Sequence, residues 1–98
     1  MSYADTVTRH RRLAILRHLA ECSGYSSNAS ILTEVLRGVG ITSTFSQVVT
    51  ELTWLKDNGF ATVEDTGGFV IAEATRAGVE IAQGHASHPE IQRPSAGR

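Results

Sequence analysis

The chain holds one cysteine, Cys22, which excludes an internal disulfide and any zinc site built on two or more thiolates. No apolar run approaches the roughly 20 residues of a membrane-spanning helix; the longest are Leu13 to Leu16 and Phe69 to Ala72. Met1 to Thr8 lacks the apolar core of a secretory signal. Charge of either sign is not in excess. Nine Lys and Arg face ten Asp and Glu, a net of −1, which argues against a polybasic coat or a highly acidic protein but leaves room for a local patch. Neither internal repeats nor low-complexity blocks occur. Ser/His/Asp and Cys/His arrangements are not recognisable, Gly67-Gly68 opens no helix that could cradle phosphate, and the acidic residues are scattered rather than paired. His85 and His88 offer two imidazoles without further ligands, too few for a metal site. A cytoplasmic protein is therefore expected, without enzymatic activity, cofactor, metal or membrane contact.

What remains is an ordinary globular composition. Ninety-eight residues with 41% hydrophobic and 19% charged side chains suffice for one core without staples. Apolar residues recur at helical spacing in three places. Leu13, Leu16, Leu19 and Ala20, flanked by Ile15, predict a first helix from about Asp5 or Thr6 to Cys22. Leu32, Val35, Leu36 and Val39 predict a second, capped by Asn28 or Ser27 and ended by Gly38 and Gly40. Phe45, Val48, Val49, Leu52 and Leu55 predict a third, opened by the capping box Thr44-Phe45-Ser46-Gln47 and stopped at Asn58-Gly59. Residues Phe60 to Asp65 and Phe69 to Ala74 are β-prone runs around Thr66-Gly67-Gly68, the pattern of a hairpin. Thr75 caps a last short helix bearing Val79, Ile81 and Ala82. Beyond Gly84 come both prolines, small or polar residues and one large aliphatic side chain, Ile91. That composition predicts a domain over residues 1–84 and a flexible tail over 85–98. Helix, helix, turn, helix, hairpin, helix is a mostly α order with a β-hairpin wing, the winged helix-turn-helix arrangement.

The segment Val48 to Val63 resembles the recognition helix and first wing strand of ArsR-like winged-helix regulators, with Leu52 and Leu55 towards the core and Gly59 closing the helix. Ala74-Thr75-Arg76-Ala77-Gly78-Val79 is similar to the threonine-led, glycine-containing start of the helix after the wing in that family. The likeness covers residues 5–84. Asp5 to His10, Arg12-Leu13, Ile15-Leu16 and the Gly24-Tyr25-Ser26 loop also resemble small proteins of Mu-like phages and prophages. The resemblance implies a DNA-binding transcriptional regulator. Metal-sensing ArsR members carry Cys-x-Cys near the recognition region, and Ser43 to Asp57 holds neither Cys nor His, so metal-responsive repression is not expected.

Residues 1–40 carry five Arg against three acidic residues, whereas residues 41–84 carry two cations against six acids. The hairpin has no Lys or Arg from Phe60 to Thr75, which weighs against wing contacts to phosphate. At about 100° per residue, Gln47, Thr50 and Trp54 lie opposite the core stripe of the third helix. Gln47 is a candidate for bidentate reading of adenine, and Ser46 or Thr50 for a phosphate or thymine methyl; a plain solvated face is the competing reading. Glu51 beside them would repel phosphate unless it accepts from a cytosine amine. Trp54, the only Trp, is expected to be exposed and to offer a binding hot spot, unless it packs under the first helix, the tail or a dimer partner. Arg9, Arg11, Arg12 and Arg17 of the first helix are candidates for backbone phosphates, or form a solvated basic helix start. DNA is the expected partner. A protein-interaction module on the same scaffold, with Trp54 and the acidic wing meeting a protein, is the alternative, and a homodimer is compatible with either.

Overall fold

The structure, a computed structural model, describes residues 2–95. The first helix, α1, spans Tyr3–Glu21 and starts earlier than its apolar stripe suggests. Ser2 and Asp5 form a capping box: Asp5 N donates to Ser2 Oγ at 3.1 Å and Ser2 N to Asp5 Oδ2 at 3.4 Å. Gly24 and Tyr25 both take positive φ (67° and 57°) and turn the chain sharply back after α1. The next three residues, Ser26–Asn28, form strand β1, which has no apolar residue and no signal of its own. It exists because it pairs antiparallel with a strand far along the chain, Asn28 opposite Ile71.

Asn28 then caps α2 (Ala29–Gly38), accepting from Ile31 N. Helix α3 (Phe45–Asp57) begins with the expected capping box of Thr44 and Gln47. Phe60 N bonds back to Leu55 O, and Gly59 takes φ +81°, so the chain reverses into β2 (Ala61–Thr66). Strand β3 (Phe69–Ala74) returns antiparallel in register, Ala61 facing Ala74 and Thr66 facing Phe69. The sheet order is β1-β3-β2, so the expected hairpin is two strands of a three-stranded sheet. Thr75 caps α4 (Arg76–Ala82) through Gly78 N. The described residues thus form a small mixed α/β domain of four α-helices and one antiparallel sheet, one strand more than the expected mostly α chain whose two-stranded hairpin packs on the helices.

The core gathers Leu13, Ile15, Leu16 and Leu19 from α1 with Leu32 and Leu36, Val48, Leu52 and Leu55, and the inward Val70, Ala72 and Ala74 of β3. Phe45 and Val39, expected on core stripes, remain 43% and 60% exposed because they stand at helix ends, outside the zone where helices and sheet overlap. Helix α4 approaches the entry to β2 so closely that a Cβ on Gly78 would collide with the Phe60 carbonyl oxygen.

The segment expected as a flexible tail is laid against the domain over residues 88–92. Ile91 is 1% exposed and belongs to the core, and Gln92 N donates to Arg9 O at 3.2 Å. Composition missed this because one buried side chain and a few local bonds hold the segment, while its average remains polar. Residues 96–98 of the expected tail lie outside the described residues, as does Met1.

Candidate nucleic-acid interface

Helix α3 turns Ser46, Gln47, Thr50 and Thr53 outward, all exposed. Gln47 is only partly available for reading a base. Its Oε1 accepts from Thr44 N at 2.9 Å, so bidentate contact with adenine requires opening the capping box, at a cost of about 1 kcal/mol. Ser46 and Thr50 carry no such obligation among the described contacts, and both residues are exposed.

The four arginines proposed for phosphate separate into different environments. Arg11 is 7% exposed, and its Nε donates to Ser43 Oγ at 2.8 Å, while Ser43 Oγ in turn donates to Ile41 O at 3.1 Å. It ties α1 to the loop before α3 and does not face solvent. Arg12 is also withdrawn. Its Nε donates to Glu51 Oε1 at 2.7 Å, and the two side chains are 11% and 9% exposed. Its Nη1 donates to the Glu90 main-chain carbonyl at 3.0 Å. Arg9 is half-buried and lines, with Asp5, Thr8, Arg12 and Glu90, a cavity of about 300 Å³ beside α1. Arg17 alone of the four is exposed.

Trp54, expected opposite the core and exposed, is half-buried. The Arg12 guanidinium lies 3.8 Å from its ring centroid, a cation–π contact. The His88 imidazole meets it edge-on at 5.2 Å, and the same imidazole lies 5.6 Å from Phe60. The competing expectation, packing under the first helix and the tail, describes its position. Glu51, expected beside the reading face as a repulsive charge, is 7% exposed and neutralised by Arg12. The helical projection misjudged both residues for one reason: α1 and the 88–92 segment close over the flank of α3 that an isolated helix would leave open.

One further contact lies away from the residues singled out in the sequence. Cys22 Sγ lies 3.3 Å from His18 Nε2 at the end of α1, beside Ile31, Phe69 and Ile71. Exposed apolar side chains there, Phe69 at 53% and Ile31 at 49%, leave the open side of β1 next to an uncharged surface. Among the described residues no group of three or more His, Cys, Asp or Glu side chains comes together as a metal site would require, and no helix is long and apolar enough to cross a membrane.

The electrostatics follow the placement. The hairpin exposes Glu64, Asp65 and Glu73 without a cation from Phe60 to Thr75. On α1 the outward charge is reduced from four arginines to Arg17 and the partly covered Arg9. Such a surface can hold DNA through polar contacts and few ion pairs, or meet a protein whose own surface is basic.

No family model matches the chain. It is 34% identical over 90 residues to the uncharacterized protein gp26 of Escherichia phage Mu, a match spanning 92% of this chain and 93% of that protein. It is also 35% identical over 77 residues to an uncharacterized protein of Haemophilus influenzae, covering 78% of this chain and 74% of that one. With identity at this level over nearly the whole length of both chains, the protein belongs to the family of the Mu phage protein gp26.

Proposed function

We propose that the chain is a small winged-helix DNA-binding protein, a phage-type transcriptional regulator that does not sense metal and works in the cytoplasm. The order α1, β1, α2, α3, β2, β3, α4, with α3 and the hairpin consecutive, supports the winged-helix reading. The observation that carries the function is the outward face of α3. A firmly capped helix of 13 residues, about 20 Å long, presents Ser46, Gln47, Thr50 and Thr53 and keeps its one buried charge, Glu51, neutralised. A helix of that size and polarity suits the major groove.

The withdrawal of Arg11 and Arg12 sharpens the test. With Arg9 and Arg17 as the phosphate contacts, the slope of log affinity against log salt is about −2. Affinity for duplex DNA then falls only about tenfold between about 50 and 200 mM salt. Titration of labelled duplexes, random and selected, measures this. A slope twice as steep would mean that other cations carry the contact, and no binding at low salt removes DNA from the reading. The acidic hairpin favours the second reading, a protein-interaction module. Capture of a basic partner that Glu64→Lys with Asp65→Lys abolishes, in a chain that ignores DNA, would decide for it.

A further inference from the structure

The sheet order β1-β3-β2 leaves two edges, and they are finished differently. Edge β2 carries the exposed Glu64 and Asp65, charges of the kind that keep an edge from pairing with another chain. Edge β1 has only Ser26, Ser27 and Asn28, without charge or proline. In a strand paired on one side, alternate main-chain N–H and C=O groups point away from the sheet. β1 also stops short of its neighbour. Asn28 lies opposite Ile71 and then leaves the sheet to cap α2, so Phe69 and Val70 of β3 have strand partners only in β2, Thr66 and Asp65. The sheet therefore has a notch on the β1 side, where β3 runs on alone.

The notch is apolar. Phe69 and Ile71 share the outward face of β3, and with Ile31 of α2 they line a cavity of about 550 Å³ bordered by β1, His18 and Cys22. Among the described residues no carboxylate, lysine or arginine lines it. Phe69 and Ile31 are both exposed. The rim is acidic: Glu64 lies opposite Ile71, and Glu73 follows two residues later on the same face, both exposed. No Lys or Arg occurs from Phe60 to Thr75 to offset them.

We propose that this notch docks an extended segment of a partner protein, which adds to the sheet beside β1. The segment sets aliphatic side chains at alternate positions against Phe69, Ile71 and Ile31, and carries Lys or Arg against Glu64 and Glu73. The chemistry selects this occupant. The three residues of β1 offer few main-chain bonds, so a wholly polar segment gains little, and alternation is what presents side chains to one face of an added strand. The rim repels DNA and acidic segments, and a second copy paired through β1 would set two acidic rims side by side. The inference rests on the protein-interaction reading of the acidic hairpin and is independent of what α3 binds.

Selection of short random peptides on the folded full chain tests it. The retained peptides are expected to alternate aliphatic and polar residues and to carry Lys or Arg. An empty selection, or a retained set with helical spacing, acidic residues or no shared pattern, overturns it. The tightest retained peptide is then labelled and titrated. Phe69→Ser is expected to weaken it about tenfold or more, and Val39→Ser, a loss of exposed apolar surface at the far end of α2, to leave it unchanged. If Phe69→Ser binds as well as the unaltered chain while Glu64→Lys with Asp65→Lys abolishes binding, the acidic hairpin stands as the contact and the notch is overturned. With peptide bound, amide hydrogen exchange over Ser26–Asn28 is expected to slow, and unchanged exchange there overturns strand addition. Should circular dichroism show Phe69→Ser unfolded, the exchange measurement on the unaltered chain decides.

Discussion

Replacing Arg12 by alanine removes three contacts at once: the 2.7 Å bond to Glu51, the 3.0 Å bond to the Glu90 carbonyl and the cation over Trp54. The pair is deeply placed, with side chains 11% and 9% exposed, so the Glu51 carboxylate left behind has little water to turn to. Stranding one member of a buried pair costs about 3–5 kcal/mol, against about 0–1 kcal/mol for an exposed pair. A domain of this size loses about 4–8 °C of Tm per kcal/mol, so Arg12→Ala is expected to lower Tm by at least about 12 °C. Removing both charges relieves the stranded carboxylate. The double variant Arg12→Ala with Glu51→Ala is therefore expected to be less destabilised than the two single losses added together, with a coupling of about 2 kcal/mol or more. Urea unfolding followed by circular dichroism and by Trp54 emission measures all four corners of the cycle. A loss under about 1 kcal/mol for Arg12→Ala, or additive single losses, would refute a buried, mutually dependent pair and return Arg12 to the exposed arginines.

Gly78→Ala brings a Cβ against the Phe60 carbonyl, which already accepts from Thr75 N, and to 3.1 Å from Leu16 Cδ2. Backbone cannot swing aside, so a loss of about 1–3 kcal/mol is expected despite the better helix propensity of alanine, and an unchanged urea midpoint would contradict the close approach. Ile91→Ala is expected to cost about 2 kcal/mol, the low end for an aliphatic core truncation because a segment without regular structure can settle into the space. Trp54 emission should shift to longer wavelength in the same variant as His88 leaves its edge; unaltered emission would show the segment docked without Ile91. Thr44→Ala deletes the hydroxyl that accepts from Gln47 N at 3.0 Å and is expected to cost about 1 kcal/mol, read from the urea midpoint.

Each of the four helices was legible, and so was the hairpin, because their signals are local. The stripe of Val48, Leu52 and Leu55 is buried where its spacing places it, and Thr44, Asn28 and Thr75 cap the helices expected of them. The Ser2 and Asp5 capping box is equally local, and it starts α1 ahead of the apolar stripe. Strand β1 is different in kind. Ser26, Ser27 and Asn28 contain nothing that favours a strand, and only the approach of β3 makes them one. The candidate interface divides along the same line. Ser46 and Thr50 stand outward as helix geometry requires, whereas the exposure of Arg11, Arg12, Glu51 and Trp54 is governed by what closes over them.

The amino-acid sequence by itself determined where helices begin and end, which faces are apolar, and that charge is unequal between the first helix and the hairpin half. These depend on residues within a few positions of one another, so local spacing is enough. Tertiary structure alone decided which charges reach solvent. Arg12 and Glu51 are 39 positions apart, and Arg12 and Glu90 78 apart. No periodicity connects such pairs; they meet because the core brings α1 and α3 together and Ile91 draws residues 88–92 across both. The basic first helix counted in the sequence is, in the folded protein, mostly an internal clamp.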